Sequence, residues 1–115
     1  MHYPLYNNPT INTIKGCDTI DKQICEYLRR YQGEENTVSA KTIEQAFRLD
    51  GAEVRRCIHR LRRKGVPICS DTNGYFYAQN QREIDRTIHS MNSRILKMQS
   101  ARNGLVKSKQ GIPYT

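Results

Sequence analysis

GAEVRRCIHRLRRK, residues 51–64, reads as one amphipathic helix. Val54, Cys57, Ile58 and Leu61 fall at i, i+3, i+4 and i+7, so at about 100° per residue they share one side. The opposite side carries Ala52, Arg56, His59 and Arg63, flanked by Arg55 and Arg60. Six basic residues (Arg55, Arg56, Arg60, Arg62, Arg63, Lys64) stand against the single acid Glu53, which gives this segment +5 of the chain's formal +8. One side suits a core and the other is nearly all cation. In isolation such a helix is more often a solvated face on an ordinary scaffold. The flanking sequence decides between the two readings.

Upstream, Ser39 caps a second helix over 40–49, with Ile43, Ala46 and Phe47 as its inward stripe. Leu49, Asp50 and Gly51 break it, and Asp50 caps the basic helix. Two short helices joined by a turn of about three residues containing Gly have the spacing of a helix-turn-helix. Further back, Asp18 caps a first helix over 18–31, in which Ile20, Ile24, Tyr27, Leu28 and Tyr31 recur at helical spacing and Gly33 is the stop. Its acids and bases cancel, so it reads as scaffold. The polar loop GEENT, 33–37, leads to Val38, a candidate for a brief strand.

Downstream, Gly65 stops the basic helix. VPICS, 66–70, and YFYA, 75–78, are β-prone runs, and DTNG, 71–74, lies between them, with Asn73-Gly74 suited to a type I′ turn. Helix, helix-turn-helix and hairpin in that order predict a mainly α fold with a small β-hairpin, a winged helix-turn-helix. The pieces SAKTIEQAF, VRRCIHRLRRKGVPI and NGYFYA also resemble the DNA-binding domain of bacterial winged-helix regulators of the biotin-repressor type. The likeness runs over 40–78 and rests on core spacing. It implies a small DNA-binding transcription regulator, a kind frequent in phages and mobile elements. No room remains for a biotin-binding catalytic domain.

A long final helix follows. Asn80 caps it and Glu83 makes a capping-box-like start. Ile84, Ile88, Met91, Ile95 and Met98 step by four and three, an a/d heptad pattern. With Gly104 as its stop, some ~24 residues at ~1.5 Å each give a rod of ~36 Å. Either Ile84 and Ile88 pack on the domain and the rest frays, or the stripe is a homodimer seam. The seam is favoured, because an exposed Ile/Met stripe on a lone helix is unstable in water. Arg82, Arg86, Arg94, Lys97 and Arg102 outnumber Glu83 and Asp85 here and offer further phosphate contacts. The expected divisions are an arm over 1–16, the winged domain over 17–79, the helix over 80–103 and a tail over 104–115 that carries Lys107 and Lys109.

Composition narrows the function. A chain of 115 residues, 37% hydrophobic and 26% charged, fits one soluble globular domain with an added helix. No run approaches a membrane span, and MHYPLYNNPTINTIKG has no apolar core of a signal peptide, so the expected location is the cytoplasm. A pI near 9.6 points to an anionic partner, most often nucleic acid. No segment pairs a Trp- or Phe-bearing apolar face with a lysine-rich one, which argues against a membrane surface. Cys17, Cys25, Cys57 and Cys69 form no C-x-x-C, and His2, His59 and His89 are scattered. Neither a metal site, a disulfide nor a cofactor is expected. No catalytic motif is present, so an enzyme is not expected.

The resulting expectation is sequence-specific binding to double-stranded DNA with helix 51–64 in the major groove. Ala52, Glu53, Arg55 and Arg56 lie near its start for bases, with His59, Arg60 and Arg63 along the same face. His59 is placed as a donor or acceptor toward a base edge. Lys41 and Thr42 would meet the backbone, and the turn bearing Asn73 adds little attraction because Asp71 is beside it. About five phosphate contacts imply a log–log salt slope near −4.5. A homodimer through Ile84, Ile88, Met91, Ile95 and Met98 would read an inverted repeat. The alternative is a winged protein-interaction module, such as a phage inhibitor or a replication accessory, applying the basic face to an acidic protein or an RNA.

Overall fold

A computed structural model describes residues 18–115. The expected arm over 1–16 and Cys17 lie outside the described residues. The elements run α1 (Asp18–Leu28), α2 (Ala40–Phe47), α3 (Gly51–Arg63), β1 (Ile68–Asp71), β2 (Gly74–Tyr77), α4 (Gln81–Ser108) and a 3-10 turn (Lys109–Gly111). The fold is mainly α with one small hairpin, in the element order of a winged helix-turn-helix followed by a long C-terminal helix. The chain divides into two compact units, one ending at Ile84 and one from Asp85 to Thr115.

Local chemistry explains the first unit's helices. Ser39 Oγ accepts the Thr42 amide at 3.1 Å and starts α2. The helix ends on Arg48 in the left-handed region (φ 54°), where the Arg48 and Leu49 amides both donate to the Glu44 carbonyl. Asp50 then opens α3. Its Oδ1 accepts the Glu53 amide at 2.8 Å, and Glu53 Oε1 accepts the Asp50 amide at 2.9 Å, a reciprocal capping box. At the far end Gly65 (φ 88°) lets its amide reach the Arg62 carbonyl while the Val66 amide reaches that of Leu61. Those paired bonds close the helix as a Schellman motif and turn Val66 into the core.

The core collects Ile24, Cys25 and Leu28 from α1, Ile43 from α2, and Val54, Cys57, Ile58 and Leu61 from α3, with Val38, Val66, Ile68 and Tyr77. Each aliphatic side chain so buried contributes roughly 1.5–3 kcal/mol. The apolar stripe expected on helix 51–64 is therefore the inward face of α3. Tyr27 meets Phe47 edge-on at 5.3 Å between ring centres, joining α1 to α2 at the rim.

β1 and β2 pair antiparallel in the register Ile68↔Tyr77 to Asp71↔Gly74. Val38 makes the brief strand contact on the other side of β2, exchanging 2.8 Å amide bonds with Tyr75. α1 stops at Leu28, short of the expected Tyr31, because Tyr31 is drawn into this sheet. Its carbonyl accepts the Tyr77 amide at 2.7 Å, and the Gly33 amide returns to the Tyr77 carbonyl at 3.0 Å. Gly33 (φ 90°) thus serves the sheet bridge instead of stopping the helix.

The hairpin turn differs from a type I′ turn. That turn needs positive φ at both central residues, and here neither Thr72 nor Asn73 has it. Asp71 Oδ1 instead accepts the amides of Asn73 at 2.8 Å and Gly74 at 3.2 Å. Gly74 (φ 149°) is required for a second reason: a Cβ there would run into the Val38 carbonyl.

Asn80 Oδ1 accepts the Glu83 amide at 3.0 Å and caps α4 as expected. The Glu83 carboxylate, however, passes Asn80 and takes the amides of Gln79 at 2.7 Å and Glu34 at 2.9 Å. Ile84 packs against Cys69, Phe76 and Ala78. It therefore belongs to the domain core and not to a seam, and the domain runs past the expected limit at 79.

In the second unit α4 continues through Gly104 to Ser108, so Gly104 is no stop and the expected tail from 104 is helical over its first turn. One Gly in a helix interior costs only about 1 kcal/mol relative to Ala, too little to end a helix that has no left-handed cap there. Met91 is half-buried, while Ile88, Ile95, Leu96, Met98, Leu105 and Val106 are exposed. Among the described residues no helix is long and apolar enough to cross a membrane.

Candidate nucleic-acid interface

α3 is held from beneath by three kinds of contact. The first is the apolar stripe already described. The second is an ion pair to α1: Arg60 Nε donates to Asp21 Oδ2 at 2.8 Å and its NH2 group donates to Oδ1 at 2.9 Å. Asp21 is wholly buried (0% exposed) and the Arg60 side chain keeps 33%. This two-bond fork is the strong geometry for a guanidinium and a carboxylate. The third ties α3 to the hairpin, where Arg62 Nε donates to the Ile68 carbonyl at 2.8 Å and its NH2 group to Ser70 Oγ at 3.1 Å.

Arg60, expected on the outer face as a site residue, lies at that face's edge with its guanidinium committed to Asp21. Glu53, expected near a base, is committed likewise, since its carboxylate holds the Asp50 amide in the capping box and is not free for a base. Thr42 is exposed, and its hydroxyl is shared with Ser39 Oγ at 2.8 Å.

What remains outward is Arg55, Arg56, His59 and Arg63, all exposed, with the half-buried Ala52 between them. Ala52, Arg55, Arg56, His59 and Arg60 line one open concavity. No carboxylate among the described residues lies within ion-pair distance of Arg55, Arg56 or Arg63. Lys41 is exposed near the start of α2, and Asn73 is exposed on the hairpin turn. Three guanidiniums and an imidazole on one rigid helix face present many fixed donors. Such a face can hold phosphate oxygens and can form paired bonds to O6 and N7 of guanine.

Two thiols beneath this face are inert by environment. Burial pushes the Cys25 thiol up to about 11, with Glu26 adding to the shift. Burial likewise pushes Cys57 up to about 11, with a further rise from hydrogen bonding to Asp21. Cys25, Cys57 and Cys69 are free and buried. Among the described residues no cluster of His, Cys, Asp and Glu could hold a metal ion.

Neither Asp21 nor Arg62 is among the expected site residues. Asp21 had a usable signal: it sits three residues before Ile24 and seven before Leu28, on the apolar stripe of its own helix. An acid on such a stripe requires a buried cationic partner. Arg62 had none, because its partners are a backbone carbonyl and a serine of the hairpin. No protein-family model, no curated protein and no solved structure matches the chain.

Proposed function

We propose that this chain is a sequence-specific double-stranded DNA-binding protein, a small transcriptional regulator of winged-helix type acting in the cytoplasm, with α3 as the recognition helix. The observation that carries the reading is the division of α3 into a buried apolar face and an exposed face bearing Arg55, Arg56, His59 and Arg63 without acidic partners among the described residues. A face of this width and charge suits the major groove, where arginine discriminates guanine by ~1–3 kcal/mol per good contact. The hairpin then follows the recognition helix as a wing. Its turn carries Asp71, so it adds little attraction to phosphate. The sequence likeness to biotin-repressor-type domains points the same way, and does so through core spacing only.

The inward commitment of Arg60 and Arg62 lowers the expected number of phosphate contacts. Lys41, Arg55, Arg56 and Arg63 remain, about four, which sets the log–log salt slope near −3.6 instead of −4.5. The test is anisotropy with labelled duplexes enriched from a random pool, titrated with salt, for the parent chain and for Arg56→Ala with Arg63→Ala. Enrichment of one motif, a slope near −3.6 and a flatter slope in the variant are expected. A slope near zero, or no enriched motif, would overturn DNA reading and leave an acidic protein or an RNA as the partner for the same face.

A further inference from the structure

Two opposite charges meet over the first residue of α3, Gly51, which has no side chain to stand between them. A Cβ built on Gly51 would touch Arg55 Nη1 at 3.4 Å and Glu44 Oε2 at 3.4 Å. The Glu44 carboxylate of α2 and the Arg55 guanidinium of α3 therefore flank one point at the joint between the two helices. They stop short of ion-pair contact yet lie within about 7 Å of each other, where opposite charges still attract at ordinary salt. Arg55 is exposed and Glu44 half-buried. The capping of α2 falls to the backbone carbonyl of Glu44, which accepts the Arg48 and Leu49 amides, and makes no demand on its side chain.

We propose that Glu44 is a positioning residue that turns Arg55 toward a guanine edge, while Arg56 and Arg63 hold phosphate. The inference rests on the DNA-binding reading and adds which arginine reads sequence. A phosphate brought to Arg55 would also approach the Glu44 carboxylate, and like charges repel. The major-groove edge of guanine carries no net charge and meets no such repulsion. Its O6 and N7 accept the paired donors of one guanidinium. Asp50 and Glu53 set two further carboxylates in the capping box at the same end of α3, which makes that end a poor place for phosphate.

Position agrees with charge. Arg55 is the fifth residue of α3, in the N-terminal part that meets base edges in a helix-turn-helix. Arg56 is turned about 100° around the helix from it, and Arg63 lies about 12 Å further along the axis. An arginine loses rotamer freedom when its fork is fixed on a base. Attraction to Glu44 removes part of that freedom before DNA arrives, so discrimination gains without a new contact to DNA. With Arg55 on a base, the phosphate contacts fall from about four to about three, and the parent slope moves from near −3.6 to near −2.7.

The test uses the full chain and a duplex enriched from a random pool, read by anisotropy. Each guanine pair of the enriched motif is exchanged in turn for an adenine pair at one fixed salt concentration. Arg55→Ala should erase the preference at one guanine pair, roughly 5- to 140-fold, and leave the salt slope unchanged. Arg56→Ala should weaken all duplexes alike and flatten the slope by ~0.9. Glu44→Gln should reduce the preference at the Arg55 pair by about two- to fivefold, with random duplex bound as tightly or more so. Added to Arg55→Ala, it should change nothing further at that pair. A Glu44→Gln chain that keeps every preference, or that loses enriched and random duplex by the same factor, would overturn the positioning role. An Arg55→Ala chain that weakens every duplex alike and flattens the slope would place Arg55 on phosphate and overturn the proposal as well. Either result leaves the proposed function standing, whereas failure to enrich any motif overturns both.

Discussion

Replacing Arg60 by Met tests how α3 is held. Asp21 has no exposed surface, and its two oxygens accept Arg60 at 2.8 and 2.9 Å. The variant keeps most of the volume and removes both donors, stranding a carboxylate in the core. Breaking a buried pair in this way costs about 3–5 kcal/mol. A third of the Arg60 side chain is exposed, so water can reach part of the vacated space, and the low end of about 3 kcal/mol is expected. With a urea slope of ~1.5 kcal/mol per molar, the unfolding midpoint falls by ~2 M. Asp21→Leu combined with Arg60→Met removes the stranded charge and should restore most of the loss, as replacing both partners of a buried pair is often near neutral. Urea unfolding of the parent, both single variants and the double variant gives the coupling directly. A single-variant loss below ~1 kcal/mol, or a double variant no better than Arg60→Met, would refute the pair as an anchor. Weaker duplex binding at unchanged stability would return Arg60 to the outer face.

Three further perturbations bear on local structure. Gly74→Ala should cost more than about 1 kcal/mol of stability in urea unfolding, since φ is 149° and the new Cβ meets the Val38 carbonyl; an unchanged midpoint would mean that the Val38 contact gives way freely. Arg48→Gly should raise stability by up to about 1 kcal/mol, because φ at 54° favours a residue without Cβ, and a lowered midpoint would show that the Arg48 side chain holds something of its own. The Cys25 and Cys57 thiols should resist alkylation at pH 8 until the chain unfolds. Their folded values near 11 lie above the ordinary 9.0, so the unfolded chain loses these protons first and stability falls as pH rises from 9 through 11; rapid native alkylation, or melting that does not drop across that window, would contradict their burial.

How much of this was legible in the chain follows from the range over which each residue acts. Val54, Cys57, Ile58 and Leu61 announce the buried face of α3 because a helix repeats every ~3.6 residues and its neighbours are local. Ser39, Asp50 and Gly65 are equally local, for caps and stops act within one turn. Glu53 shows the limit of that locality. It stands three residues after a capping Asp, which is itself a sufficient sign of a capping box, yet its place on the charged face suggested a base contact. Arg60 and Arg62 could not be assigned from periodicity, since a long side chain at the edge of a stripe goes where its partner is. Arg60 finds Asp21, 39 residues away, and Arg62 finds the hairpin. Gly104 misled in the opposite way: a glycine stops a helix only where the next amides find a left-handed cap, and here α4 simply goes on. Ile84 fits a heptad by number, but the neighbouring hairpin takes it first.

The division of labour on α3 bears on how such a protein can change over generations. Everything that fixes the helix in place lies underneath or at its ends: the apolar stripe, Arg60 on Asp21, Arg62 on Ile68, and the Asp50–Glu53 cap. Arg55, Arg56, His59 and Arg63 are exposed and lie outside that framework. Exchanges among helix-forming side chains at these four positions leave its contacts intact, so the outer face can change while the fold is inherited.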